Sequence, residues 1–177
     1  VIFADHCADL VNFSYDVYED QTSLELLLSS YAFALQIYCD FSGYTDMARG
    51  IARLMGYELC LNFNIPYFAS NIRDFWHKWH ISLSTWFRDY VYIPLGGNKC
   101  SKWQNYINIL ITMLIAGVWH GANMTFVIWG LLHGLYIVIY DFTHKRLSAF
   151  IPKPVSVFLT FHFVLLGWIF FRSETMD

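Results

Sequence analysis

The sequence predicts an all-helical, polytopic membrane protein, and three observations predict it. Hydrophobic residues make up 56% of the 177, aromatics 20% and charged residues only 14%, a composition unlike that of an average soluble domain. Four apolar segments recur along the chain, at residues 24–39, 106–119, 124–140 and 155–171. Between the first two lies a tryptophan-rich stretch, "FWHKWHISLSTWFRDY", with the mixed face and aromatic belt of an interfacial helix.

Each apolar segment is shorter than the roughly 20 residues that a straight span needs, so flanking aromatics must extend them, or the spans are short, tilted or broken. The middle pair is the most informative. From Gln104 to Trp119 a helix rises about 24 Å against a hydrocarbon core of about 30 Å. If its neighbour starts soon after "WHGAN", His120 lies below the membrane surface; two longer helices with a surface turn are the competing arrangement. Lys99 and Lys102 precede this pair, and Lys145, Arg146 and Lys153 follow it. Both outer ends are therefore expected to face the cytoplasm, with the His120 end directed to the other side.

The stretch "DFSGYTDMARGIARLMGY" is neither a span nor a simple loop. Ala48, Ile51, Ala52, Leu54 and Met55 suggest a short helix with Arg49 and Arg53 on its polar side, flanked by Gly43 and Gly50, and a re-entrant or interfacial segment is expected. In the tryptophan-rich stretch, spacings of three and four place Trp76, Trp79, His80, Leu83, Trp86, Phe87 and Tyr90 on one face of a helix. His77 falls with Lys78, Ser84 and Arg88 on the polar side. His80 is then the ring that only a partner or a function would retain on an apolar face.

The net charge of −3 comes largely from Asp5, Asp9, Asp16, Glu19, Asp20 and Glu25, and no basic stripe suggests nucleic acid. Cys7, Cys39, Cys60 and Cys100 form no C-x-x-C pair, so small buried thiols outweigh a zinc or disulfide reading. "YIPLGGNK" matches no phosphate-loop spacing and reads as a tight turn. Asp40, Asp46 and Asp74 are as fit to cap helices or pair with Arg49, Arg53, Arg73 and Arg88 as to support a site. Val1 follows no basic or apolar leader, and an apolar segment runs almost to the last residue. An internal or C-terminal piece of a longer chain is expected, with residues 1–177 belonging to one membrane domain.

Ionisable rings at membrane depth are costly and therefore functional candidates. His80, His120 and His133 fit that description. His120 sits in "GVWHGAN" beside Gly117 and Gly121, which permit close backbone approach, with Asn123 as a polar neighbour. His133 is expected to donate to a carbonyl of a neighbouring helix. No G-x-S-x-G elbow is present and no carboxylate lies near His120 in sequence, which argues against a serine-hydrolase triad. A histidine that takes a proton from a substrate hydroxyl needs no protein nucleophile, and a second ring or amide could stabilise the oxyanion. Metal binding by His77, His80, His120 and His133 is the rival chemistry, but the H-E-x-x-H spacing is missing and no metal is expected.

"DFSGYTDMARGIARLMG", "LNFNIPY", "FWHKWHISLSTWFRDYVYIPLGGNK" and "GVWHGANMTFVIWGLLHG", in that order, together with "VIFADHCADLV" and "GWIFFRSE", resemble the membrane-bound O-acyltransferase family in its bacterial alginate O-acetyltransferase-like branch. The resemblance implies a multi-span helical fold in which a funnel reaches a buried histidine. It implies His120 as the catalytic histidine and His80 as the second active-site position. Trp119, Asn123 and Trp76 beside them are candidates for binding substrate. The implied reaction passes an acyl group, acetyl first, from a cytoplasmic acyl thioester to a hydroxyl of an extracytoplasmic polysaccharide such as alginate. No bound cofactor is implied. The implied partners are the lipid bilayer, the polysaccharide and acyl-carrier or accessory envelope acetylation proteins, at a bacterial cytoplasmic membrane crossed several times.

A related branch transfers D-alanine to teichoic acids, and a non-enzymatic scaffold or transporter segment is the reading outside enzymes. His77 and Lys78 stand where arginine is common in relatives, a departure on the polar face. Family members carry further spans on both sides of this stretch, so the piece alone is expected to be inactive.

Overall fold

The computed structural model describes residues 2–147 and 151–173. Among them the chain is helical throughout, as its composition predicts, with no strand: α1 (Ile2–Asp16), α2 (Ser23–Leu54), α3 (Ile72–Lys78), α4 (Ile81–Phe87), α5 (Lys102–His120), α6 (Met124–Leu147) and α7 (Lys153–Arg172). Two compact units divide at Asn62 and Phe63.

In the first unit α1 and α2 form a helical hairpin that buries Ala4, Val11, Ser14 and the Ser29–Ser30 and Ala32–Ala34 stretches. The start of α2 is fixed by a capping box. The Thr22 hydroxyl accepts from the Glu25 N–H at 3.3 Å, and the Thr22 N–H donates to Glu25 Oε2 at 2.8 Å.

The expected short helix after residue 40 is corrected here. α2 runs unbroken for 32 residues, about 48 Å, and absorbs both the first apolar run and the mixed segment. Gly43 and Gly50 do not interrupt it. A glycine costs a helix interior only about 1 kcal/mol relative to alanine, and Met47, Ala48, Arg49, Ala52, Arg53 and Leu54 around them are good helix formers. The break comes instead at Gly56, whose φ of +84° is left-handed, after which Arg53 pairs with Glu58 at 3.0 Å.

The second unit carries the remaining helices. α5 and α6 form a tight hairpin, α7 packs on α6, and α3 lies against both α6 and α7. Residues 124–143 and 153–172 make helices long and apolar enough to cross a membrane. Glycines set the closeness of the α5–α6 pair. A Cβ on Gly117 would lie 2.3 Å from the Phe126 carbonyl oxygen, and one on Gly130 2.3 Å from that of Met113. The two helices touch backbone to backbone, as small residues allow between membrane helices.

A second correction concerns the tryptophan-rich stretch, which is not one helix. α3 ends at Lys78 and α4 starts at Ile81, with Trp79 extended (φ −104°, ψ 126°) and His80 left-handed (φ 43°, ψ 56°) between them. The Asn64 N–H donates to the Lys78 carbonyl at 3.0 Å, and the Ser84 hydroxyl donates to that of Trp79 at 3.1 Å. The break turns Trp79 inward, where it meets Phe63, Phe75 and Trp168 at centroid distances of 5.0, 5.6 and 5.0 Å. Burial of a whole indole against three rings outweighs the local backbone strain. After α4 the chain widens into a π-turn at Arg88–Tyr92 and leaves through turns in which Gly96 and Gly97 take positive φ, as the glycine pair predicts.

Candidate active site

The site is built at the C-terminal end of α5. His120 is that helix's last residue, half-buried, and four residues on from it α6 begins. Close approach at Gly117 allows α6 to turn back directly beneath the ring. Four aromatic side chains enclose it: Trp119 and Phe171 at 4.9 Å, Trp129 at 5.2 Å and Phe126 at 6.0 Å between centroids. Three of these meet the imidazole edge to face. The wall therefore orients the ring and keeps competing hydrogen-bond donors away from it.

His80 belongs to a separate segment of the same unit. Its left-handed backbone at the head of α4 projects the ring from the α3–α4 break, and Phe63 stacks on it at 6.5 Å and 20°. Links run from this segment to His120's surroundings: Phe87 of α4 meets Trp119 at 6.4 Å, and Trp76 of α3 meets Trp129 at 5.8 Å. The two histidines lie within electrostatic range of each other. Burial pulls the His80 imidazole down to about 4, so the ring is neutral at physiological pH.

Of the residues expected from the sequence, His80 and His120 are brought together. His77 is exposed, and Lys78 beside it is tied to Asp74 at 2.9 Å. The distinction between His77 and His80 holds, but for a different reason: a backbone break lies between them, where the sequence suggested the faces of one helix. Trp119 flanks His120 with 58% of its surface exposed, which leaves an indole face available to a guest. Trp76 is half-buried between Trp129 and His133. Asn123 turns its amide oxygen onto the Thr125 N–H at 3.2 Å and so caps the start of α6.

His133 departs from expectation. It is completely buried, and neither ring nitrogen has a hydrogen-bond partner, so no carbonyl of a neighbouring helix receives it. Sequence reasoning also missed Phe63, Trp129 and Phe171. Their only signal was membership of apolar, aromatic runs, which many residues here share. The carboxylates are committed elsewhere: Asp46 to Arg49 at 3.2 Å, Asp74 to Lys78, and Asp141 to Arg73.

Such a site can accept a proton on an enclosed imidazole and donate a hydrogen bond from a second, neutral one. That pairing suits attack by a hydroxyl on a carbonyl.

Comparison with known proteins gives the same direction. The family model of the membrane-bound O-acyltransferase family matches residues 19–174. The chain is 44% identical to the protein named probable alginate O-acetylase AlgI of Pseudomonas aeruginosa, over 98% of this chain and 32% of that one. It is 41% identical to the peptidoglycan O-acetyltransferase of Helicobacter pylori, over 100% of this chain and 34% of the relative. It is 35% identical to the teichoic acid D-alanyltransferase of Bacillus subtilis, over 84% of this chain and 41% of the relative. The chain thus spans between 32% and 41% of the length of these relatives.

Proposed function

The chain belongs to the membrane-bound O-acyltransferase family, and from that premise we propose that the protein transfers an acyl group, acetyl first, from an acyl thioester to hydroxyls of an extracytoplasmic polysaccharide such as alginate. The observation that carries this reading is that His120, in its aromatic enclosure, and His80, set against Phe63 on a separate segment, lie within electrostatic range of each other.

The chemistry needs no covalent enzyme intermediate. A neutral His120 takes the proton of the acceptor hydroxyl as its oxygen attacks the thioester carbonyl, and a tetrahedral oxyanion forms. His80, neutral and half-buried, donates its N–H to that oxyanion. Collapse breaks the carbon–sulfur bond, the ester stays on the sugar, and the leaving thiolate recovers the proton from His120. The aromatic wall excludes water, which would otherwise hydrolyse the thioester. Trp119 and Trp76 offer the flat apolar surfaces on which a sugar ring or the donor can rest.

The donor is a co-substrate, so no resident cofactor is invoked. It comes from the cytoplasmic side, with an acyl carrier or accessory envelope protein as its source, and the acceptor from the opposite side of a bacterial cytoplasmic membrane. A second reading, D-alanyl transfer to a teichoic acid, is favoured by the similarity to the Bacillus subtilis relative. It uses the same two histidines and differs in the acyl group and in the acceptor polymer.

The test is the ester-linked acyl content of purified envelope polysaccharide from cells carrying the full-length protein, wild type against His120→Gln at matched protein level. Loss of acetyl ester by roughly a hundredfold or more is expected. Loss of D-alanyl ester instead selects the second reading, and unchanged ester removes His120 from the chemistry.

A further inference from the structure

His133 lies in the middle of α6 and is 0% exposed, yet both Nδ1 and Nε2 lack a hydrogen-bond partner. Around it stand Trp129 at 5.0 Å, Trp76 at 5.2 Å, Tyr136 at 5.7 Å and Trp168 at 6.4 Å. Each of these four brings a further buried polar atom that is also unpartnered: three indole Nε1 atoms and the Tyr136 hydroxyl. On the α7 side the ring meets Gly167, where a Cβ would lie 2.5 Å from Nε2, so that residue offers the nitrogen no side-chain partner.

A histidine buried in this way bears the full cost of desolvation with nothing in return, whereas phenylalanine would fill the same space at no such cost. Packing alone therefore does not account for an imidazole here. The composition of the cluster says what would. Indole N–H groups only donate, and the phenol and the neutral imidazole each donate once, so donors outnumber acceptors. The missing partner is an acceptor, and in so tightly ringed a place a small one: a carbonyl oxygen.

Its position says whose carbonyl. Lys99 and Lys102 lie at the start of α5 and Lys153 at the start of α7, all at the ends of their helices away from His120, which the positive-inside rule makes cytoplasmic. His133 is the tenth residue of α6, about 14 Å along it from the His120 end. Trp129 touches both rings, at 5.2 Å from His120 and 5.0 Å from His133. The cluster is thus the next polar station on the cytoplasmic side of His120.

We propose that His133, with the indoles of Trp76 and Trp129 and the hydroxyl of Tyr136, forms a second polar site that holds a carbonyl oxygen of the acyl thioester donor's arm as it approaches His120. The proposal rests on the acyl-transfer reading above. It assigns His133 to donor binding and leaves the proton transfer to His120.

The test uses the purified full-length protein and S-acetylpantetheine, a small thioester with amide and thioester carbonyls, as the probe in thermal unfolding. Millimolar probe is expected to raise the Tm of wild type and of His120→Gln, and to leave that of His133→Phe unmoved. His133→Phe without probe is expected to be at least as stable as wild type. An equal shift in His133→Phe, or none in wild type, overturns the proposal. If His133→Phe fails to fold, Tyr136→Phe keeps the ring and removes only the hydroxyl: a shift reduced by half or more supports the site, and an undiminished shift overturns it. Polysaccharide ester content reports the parent reading separately. Ester lost in His120→Gln while His133→Phe still takes the probe sinks this site alone, and ester retained in His120→Gln sinks the parent reading whatever the probe does.

Discussion

Phe63 lies nearly parallel to the His80 imidazole, with ring centroids 6.5 Å apart and 20° between their planes, and the backbone is left-handed on both sides of the contact, at Ile65 (φ 50°) and at His80 itself (φ 43°). Non-glycine residues take this conformation only when their surroundings compel it, and a β-branched isoleucine there is rarer still. The Asn64 N–H bond to the Lys78 carbonyl ties the two strained segments together. Phe63, 6% exposed, thus both positions His80 and shields it from water. With the ring neutral in the fold down to about 4 and protonated in the unfolded chain below its ordinary 6.5, the unfolded state binds more protons between those values. His80's contribution is whole above pH 6.5 and is lost as pH falls toward 4. Thermal stability of the full-length protein should fall across that window less steeply in His80→Phe than in wild type. Phe63→Ala should move the acid limb of acyl transfer up toward 6.5, and coincident pH profiles would show that Phe63 does not shield the ring.

Arg73 grips Asp141 with two hydrogen bonds, one from Nε to Oδ1 at 2.6 Å and one from Nη2 to Oδ2, and so pins α3 to the far end of α6. Asp141 is 17% exposed and Arg73 40%, so solvent screens the pair only in part. A planar two-point contact of this kind is lost when lysine replaces arginine. Asp141→Asn is expected to lower stability by about 1.5–3 kcal/mol and to reduce acyl transfer, because α3 carries Trp76 and leads into His80. Arg73→Lys should fall between wild type and Asp141→Asn in Tm. A Tm for Asp141→Asn within a degree of wild type would reduce the pair to an inert surface contact.

The comparison of His77 with His80 shows how far the sequence could be read. Periodicity marked His80 as the buried ring and His77 as the polar one, and their exposures agree, but the single helix that justified it does not exist. A left-handed residue between two short helices leaves no trace in a pattern of threes and fours, since Trp79 and His80 would be apolar-facing in either arrangement. The positions of α5, α6 and α7 were legible because composition changes sharply at their ends; α1 and the full length of α2, where it does not, were not. The "WHGAN" turn after α5 is bounded by glycines and an asparagine cap, and Gly117 announced the close helix pair. The bare state of His133 was not legible, because whether a buried ring finds a partner depends on which neighbours converge on it. His77→Ala should therefore leave acyl transfer within about twofold of wild type, measured as polysaccharide ester at matched abundance. A larger loss would return His77 to the site.

The closeness of α5 and α6 is what delivers His120 to its enclosure, and two glycines govern it. Gly117 and Gly130 face each other so tightly that a Cβ on Gly117 would lie 3.3 Å from the Gly130 Cα, besides the 2.3 Å clash with the Phe126 carbonyl oxygen. A carbonyl held in a helix cannot move aside as a side-chain tip can, so the helices must separate. Gly117→Ala is expected to cost about 1–3 kcal/mol and to lose most acyl transfer, since His120 is three residues further along the displaced helix. Gly50 in α2 provides the contrast: nothing lies within 4 Å of a Cβ there, and the residue is exposed. Gly50→Ala should stabilise the protein by about 0.5–1 kcal/mol through helix propensity alone and leave acyl transfer unchanged. Thermal unfolding and ester content, measured on both variants of the full-length protein, decide the matter. If Gly117→Ala keeps wild-type ester content, the helix spacing does not set the position of His120.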